Sequence, residues 1–246
     1  MIDIIAAISL PTLFGLGVAA VVTSVPLTPS VRLKSALLAI IWFAVVSALG
    51  AFGAFGARGS GTIAIGTTIL VPIVVSLVAA ARSSTFRQVV LETPMPVLVA
   101  IHAGRLLRIL FLLLLSAGRL TPTFAKAAGW GDIAVATAAL PVAWAIARRA
   151  RRWYALASLW NVIGFIDLVT AITLGVGSAP GSPLRFVFER PETATIASLP
   201  WVLIPGVLVP FYLLTHIAVF AQLVFGQVRQ RRDAPRGELA WNSHSR

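Results

Sequence analysis

The side chains best placed to do chemistry are ionisable groups embedded in apolar sequence. His102, Arg105 and Arg108 follow one another at three-residue intervals inside the apolar run 96–117. On a helix of 3.6 residues per turn they form one continuous stripe. Neither arginine can shed its charge at accessible pH, and each costs ~2.5–3.5 kcal/mol at the centre of a membrane-spanning helix. Both therefore require partners. The candidates are Asp132, which follows Gly129-Trp130-Gly131, and Asp167, which follows Asn161 in the next apolar run. Tyr212 and His216 stand one turn apart in a further run interrupted by Pro200, Pro205 and Pro210.

Several chemistries are open to this set. If Asp132 stays solvated at the outer rim, Asp167 alone faces two arginines. One positive charge is then free to bind a small anionic molecule, since guanidinium holds carboxylate or phosphate bidentately, with Asn161 adding neutral hydrogen bonds. If both aspartates pair, the four charges instead lock three helices together. His102 and His216, the two intramembrane histidines, could alternatively serve as axial ligands of a b-type haem. Helix rise puts them roughly 10 and 15 Å from the inner face. No other metal ligand is expected. The prolines each remove a backbone donor, and such broken helices often line transporter sites.

Two further readings are weaker. Gly129-Trp130-Gly131-Asp132 matches the GxGD string of presenilin-like and prepilin peptidases, whose paired aspartates share a proton. Here, however, the second aspartate follows the string, as it does not in presenilins, and lies deeper than the first. A retinal Schiff base needs an intramembrane lysine, and the two lysines, Lys34 and Lys126, are assigned to loops. No residue is assigned a catalytic role, and the set favours binding or transport over an enzyme.

The elements that must position these residues are transmembrane helices. Charged residues make up 11% of the chain and hydrophobic residues 58%, with a mean hydropathy of +0.92. Soluble domains carry about 25% charged residues, so this surface cannot face water. Spans of about 20 apolar residues are expected at 4–23, 36–56, 63–81, 96–117, 131–147, 154–176 and 203–226. The alternating ~10-residue segments of a β-barrel are absent. The fold expected is an all-α bundle of about seven transmembrane helices, 1–228, followed by a basic disordered tail, 229–246. The stretch 119–131 is expected to be a loop or a re-entrant segment, and 194–202 to lie along the interface. The small-residue run Gly50 to Gly56 suits close helix approach.

The net charge of +12 follows topology rather than nucleic acid. Alternate loops place Arg32, Lys34, Arg82, Arg87, Arg148, Arg149, Arg151, Arg152 and the five tail arginines on one side, 13 basic residues in all. Arg58, Arg119, Lys126, Arg185 and Arg190, five residues, fall on the other. The positive-inside rule then puts the C-terminus in the cytoplasm and the N-terminus outside. Trp130, Trp153 and Trp201 fall at expected interfaces, as an aromatic belt would have them. The start of the chain lacks the basic n-region of a cleaved signal peptide. Partners expected are membrane lipids, through basic residues such as Arg229, Arg231, Arg232 and Arg236, and a homo-oligomer or larger membrane complex, but not nucleic acid. With no cysteine in the chain, disulfides and thiolate chemistry are excluded.

The second half resembles an uncharacterised family of bacterial multi-pass inner-membrane proteins. The resemblance spans roughly residues 100–225. It rests on Arg119-Leu120-Thr121-Pro122 with Phe124-Ala125, Gly129-Trp130-Gly131-Asp132-Ile133-Ala134, and Trp160-Asn161 with Gly164 and Asp167. It continues through Leu203-Ile204-Pro205, Val209-Pro210 and His216. It implies a bacterial cytoplasmic membrane location and no particular activity, and the first three spans, read as apolar scaffold, lie outside it. The resulting expectation is binding or transport of a small anionic molecule by His102, Arg105, Arg108, Asp132, Asn161, Asp167, Tyr212 and His216. The alternatives are a b-type haem protein and a structural or accessory subunit of a membrane complex.

Overall fold

A computed structural model describes residues 1–25, 27–56 and 60–233, with side chains through Phe225. Arg58 and the side chains of the tail, Arg229, Arg231, Arg232 and Arg236 included, lie outside the described residues. The chain is an all-α bundle with seven helical segments long and apolar enough to cross a membrane. It is a polytopic membrane protein.

Three long helices come first: α1 (Ile2–Ser24), α2 (Pro29–Ala51) and α3 (Ser60–Arg82). A short amphipathic helix, α4 (Ser84–Glu92), follows, its first turn capped by Ser83, whose hydroxyl accepts from the Phe86 amide at 3.1 Å. The fourth span is composite: α5 (Met95–Ala100), a 3-10 segment (Ile101–Arg108) and α6 (Ile109–Ser116). Next come α7 (Pro122–Ala147) and α8 (Trp153–Ser178), joined by the arginine turn 148–152. The last span is a π-helical turn (Ile204–Leu208) leading into α9 (Val209–Asp233). Pro29 and Pro122 occupy the first positions of their helices, where the missing N–H is no loss and the fixed φ suits the helix.

Three boundaries differ from expectation. α2 ends at Ala51, and the small-residue run beyond it folds back through turns, with Gly53 at φ +72° and Phe55 buried. Of the stretch 119–131 only 119–121 is loop, and none is re-entrant. Pro122 starts α7 there, which makes Asp132 the eleventh residue of a 26-residue helix. Ten residues of helix correspond to about 15 Å of rise, so Asp132 leaves the outer rim for the interior. The segment 194–202 is a 3-10 turn (Thr193–Ala197) followed by tight turns. It ends in Trp201, which is fully buried and donates Nε1–H to Asp3 at 2.8 Å. Trp201 is thus a core residue, whereas Trp130, eight residues into α7, is exposed. Lys34 and Lys126 sit in the second turns of α2 and α7 rather than in loops.

The bundle is unevenly packed. α7 is its hub, lying against α5, the 3-10 segment, α6 and α8. It brings small residues to those contacts: Ala125, Ala128, Gly129, Ala136 and Ala139 are all buried. Close backbone approach through small residues is the main source of helix association in lipid, where the hydrophobic effect is absent. α2, by contrast, buries only Val46. Its strongest tie is Trp42, whose Nε1–H donates to the Gly206 carbonyl at 2.9 Å. Gly206 lies in the π-helical turn, and its carbonyl oxygen is taken by a tryptophan instead of a ligand.

Candidate functional site

The eight residues singled out above converge on one buried cluster between the fourth span, α7, α8 and α9. The 3-10 winding explains how. With 3.0 residues per turn, positions i, i+3 and i+6 eclipse one another. His102, Arg105 and Arg108 therefore project as a single column, each at most 1% exposed. A regular α-helix would have spread the same stripe over about 120° of its surface.

Arg105 is the centre of the cluster. Its Nε–H donates to Asp132 on α7 and one terminal nitrogen to Asp167 on α8. Its other terminal nitrogen reaches the Gly164 carbonyl and His216 Nε2, both at 3.4 Å. A guanidinium can only donate, so His216 Nε2 is the acceptor. The proton of that imidazole must then sit on Nδ1, which donates to Asn161 Oδ1 at 2.7 Å. The Asn161 amide group in turn donates to the His216 carbonyl at 3.1 Å. Each partner fixes the orientation of the next.

His102 is held by the same logic. The Thr215 hydroxyl donates to the Tyr212 carbonyl at 2.8 Å, so its oxygen is free to accept from His102 Nε2–H at 2.9 Å. The ring packs edge-on to Trp160, with centroids 5.1 Å apart, and tilts against Tyr212 at 4.8 Å. Trp160 donates to the Val135 carbonyl at 3.0 Å.

Two glycines make room for this arrangement. A Cβ at Gly164 would come within 2.6 Å of the His216 ring, and one at Gly131 would collide with the Asp167 carboxylate. Gly129 admits Leu112 in the same way. The Gly129-Trp130-Gly131-Asp132 string is thus a packing surface. Asp132 and Asp167 have the Arg105 guanidinium between them, whereas a protease dyad needs two carboxylates sharing a proton.

The haem alternative does not fit. Two metal–nitrogen bonds of about 2 Å and a macrocycle between the rings would hold the imidazole centres about 6 Å apart. The centroids of His102 and His216 are 4.3 Å apart, and both ε nitrogens have protein partners. Among the described residues no group of three or more His, Cys, Asp or Glu could hold a metal ion.

Arg108 differs from its neighbour. Its Nε lies 3.4 Å from the second oxygen of Asp132, while both terminal nitrogens are buried with no hydrogen-bond partner. Arg108 and Asp132 form the polar end of a cavity of about 120 Å³. The remaining wall is largely apolar, with Ile65 and Ile69 from α3, Phe111, Phe124, Leu168 and Ile172 among its residues. The expected place of Asp132 at the outer rim is therefore corrected, and with it the condition for a free positive charge: both aspartates pair, as in the alternative in which the four charges lock three helices together. Two arginines meet two aspartates, and the charge balances. The unmet capacity is in hydrogen bonding: within the cluster it lies on the two terminal nitrogens of Arg108 and on His102 Nδ1.

The cavity is roofed by the connection between α8 and the π-helical turn, through Ala179, Pro180, Thr193 and Ala194. This strap is tied down at several points. Glu189 accepts from the Thr121 hydroxyl (2.8 Å) and from the Thr123 amide (2.8 Å) and hydroxyl (2.6 Å) at the start of α7. Those hydrogen bonds, Thr123 foremost, hold the Glu189 carboxyl below its ordinary pKa. Thr195 donates to the Arg119 carbonyl at 2.8 Å, and Arg119 forks onto both oxygens of Asp3 at 2.9 Å.

Sequence reasoning missed Thr215, Asp3, Glu189 and the contribution of α3. Trp160 and Gly164 were visible only as part of the resemblance. Thr215 adjoins His216, but nothing in its type distinguishes it from the other intramembrane threonines. α3, read as scaffold, supplies one wall of the cavity.

Residues 62–224 match the family model described as Domain of unknown function (DUF8737), and the chain belongs to that family. The match begins at Thr62 and so includes the third span, which the resemblance had left out. No curated protein and no solved structure matches the chain.

Proposed function

We propose that this protein binds, within the membrane, a small molecule bearing an anionic oxygen group, and that Arg108 is the residue that recognises it. The observation that carries this reading is the pair of orphaned terminal nitrogens on a buried guanidinium at the polar end of an apolar cavity. Leaving a buried donor unsatisfied costs about 1–3 kcal/mol, and more for a charged group. A carboxylate or phosphate would satisfy both nitrogens at once, in the fork geometry guanidinium favours. Arg105, His102, Asn161, His216 and Tyr212 serve as the frame that fixes the 3-10 column, and Asp132 and Asp167 neutralise it. The basic asymmetry of the loops orients the strap and Asp3 to the outside of a cytoplasmic membrane. Transport would be a further step, for which the π-helical turn bordering the cavity at Ile204 and Pro205 supplies a deformable element.

The test is thermal unfolding of the detergent-solubilised protein during titration with acetate or inorganic phosphate, at ionic strength held constant with chloride. The wild type should gain stability saturably, and Arg108→Gln should not. An identical response from both proteins would remove the reading.

A further inference from the structure

The shape of the cavity says more about the ligand than its polar end does. Apart from Arg108, Asp132 and the threonines Thr62 and Thr193, its lining is apolar or glycine. It is a slot between α3 and α8, extending from the buried arginine toward the strap. The strap closes its end and is fastened by Glu189 and Thr195. The flank is less well closed. Thr62 and Ile65 on α3, and Ala171, Ile172, Gly175 and Val176 on α8, are all partly exposed along the slot. In a bilayer that flank meets acyl chains rather than water. A compact hydrophilic anion would leave most of the lining without contacts, and its open side offers no polar route.

We infer that the ligand is a single-chain amphiphile with an anionic head, a fatty carboxylate or a close analogue, drawn sideways from the bilayer between α3 and α8. This rests on the reading of Arg108 given above. The cavity of about 120 Å³ takes the carboxylate and the first few methylenes, the carboxylate reaching the two terminal nitrogens of Arg108, while the rest of the chain leaves through the flank into the bilayer. Charge placement favours an anion there despite the balanced total. Both aspartates hydrogen-bond to Arg105, whereas Arg108 has only its Nε near one oxygen. Its distal edge is the electropositive surface at the head of the slot.

The experiment uses the full chain in phosphatidylcholine nanodiscs doped with a hexadecanoic acid carrying a mid-chain diazirine. After irradiation, the labelled peptides are mapped by mass spectrometry. Labelling is expected on the slot-facing residues of α3 and α8, at least tenfold above the lipid-facing surface of α2. Oleate should compete, while methyl oleate and oleyl alcohol, with the same chain and no anion, should not. Arg108→Gln should abolish the slot signal. Should that variant fail to fold, Ala171→Phe, which fills the slot and leaves every charge in place, should abolish it equally. If the slot is unlabelled while compact anions still stabilise through Arg108, the amphiphile is overturned and the anion site stands. Labelling that ignores Arg108 and yields equally to oleyl alcohol overturns both.

Discussion

Arg105 and Arg108 are the same residue one 3-10 turn apart, equally buried, yet their surroundings are opposites. Arg105 is saturated. It bridges two carboxylates and also reaches a backbone carbonyl and an imidazole on two further contacts. Arg108 shares one of those carboxylates at the longer distance of 3.4 Å and faces a cavity with both terminal nitrogens unpaired. The contrast separates two jobs that residue type alone cannot. A fully satisfied buried ion fixes structure, because removing it strands its counterions. A half-satisfied one is costly as it stands and becomes favourable only when a ligand completes it.

The largest effect should come from breaking the saturated side. Arg105→Gln leaves Asp132 and Asp167 with little compensation inside the bundle, and losing one partner of a buried pair costs about 3–5 kcal/mol. Arg108→Gln removes one long contact and two unsatisfied nitrogens but leaves the cluster one negative charge in excess, so its cost should be smaller, about 1–3 kcal/mol. Melting temperature and recovery of monodisperse protein measure both. Equal losses in the two variants would erase the distinction drawn between them. Next in size, Gly164→Ala should cost about 1–3 kcal/mol by pushing a methyl into the His216 ring. It should do so through the Arg105 frame, leaving Arg108 able to respond to anions. A wild-type melting temperature would show that the His216–Asn161 link does not brace the frame.

The smallest effect should appear at the strap. The Glu189 carboxyl is held below its ordinary value of 4.5 by its hydrogen bonds to Thr123 and Thr121. A depressed carboxylate adds stability that is complete above the unfolded pKa and is lost as pH falls through the folded one. Strap order, followed by hydrogen exchange of residues 185–197, should therefore decline only below about pH 4.5. In Glu189→Gln that decline should vanish, replaced by uniformly faster exchange. Because Glu189 is exposed, the change should be modest. A pH response unaltered by the substitution would assign it to another group.

Seven spans, the candidate partners of the arginines, and the convergence of four apolar runs on one polar centre were all legible in the sequence. Charge inside an apolar run has few physical outcomes, and the partners of Arg105 were few enough to name. What could not be read was depth. Asp132 was placed at the rim because Gly129 to Gly131 resemble a loop. Pro122 in fact opens α7, and the glycines exist to admit Leu112 and Asp167. Glycine at a close helix contact and glycine in a turn look alike until the neighbouring helix is in place.

The sequence by itself determined that two permanent cations must be buried and that two aspartates, an asparagine, a tyrosine and two histidines were available to receive them. Composition sets the solvent, and the solvent sets the cost of a charge. Only the tertiary structure decided how the pairing was shared. The 3-10 winding stacks the column, and the positions of α7 and α8 give both aspartates to Arg105. The packing of α3 at a distance from α8 leaves a slot beside Arg108. Those outcomes depend on separations between helices remote in sequence, and hydrogen bonds are decided by such separations.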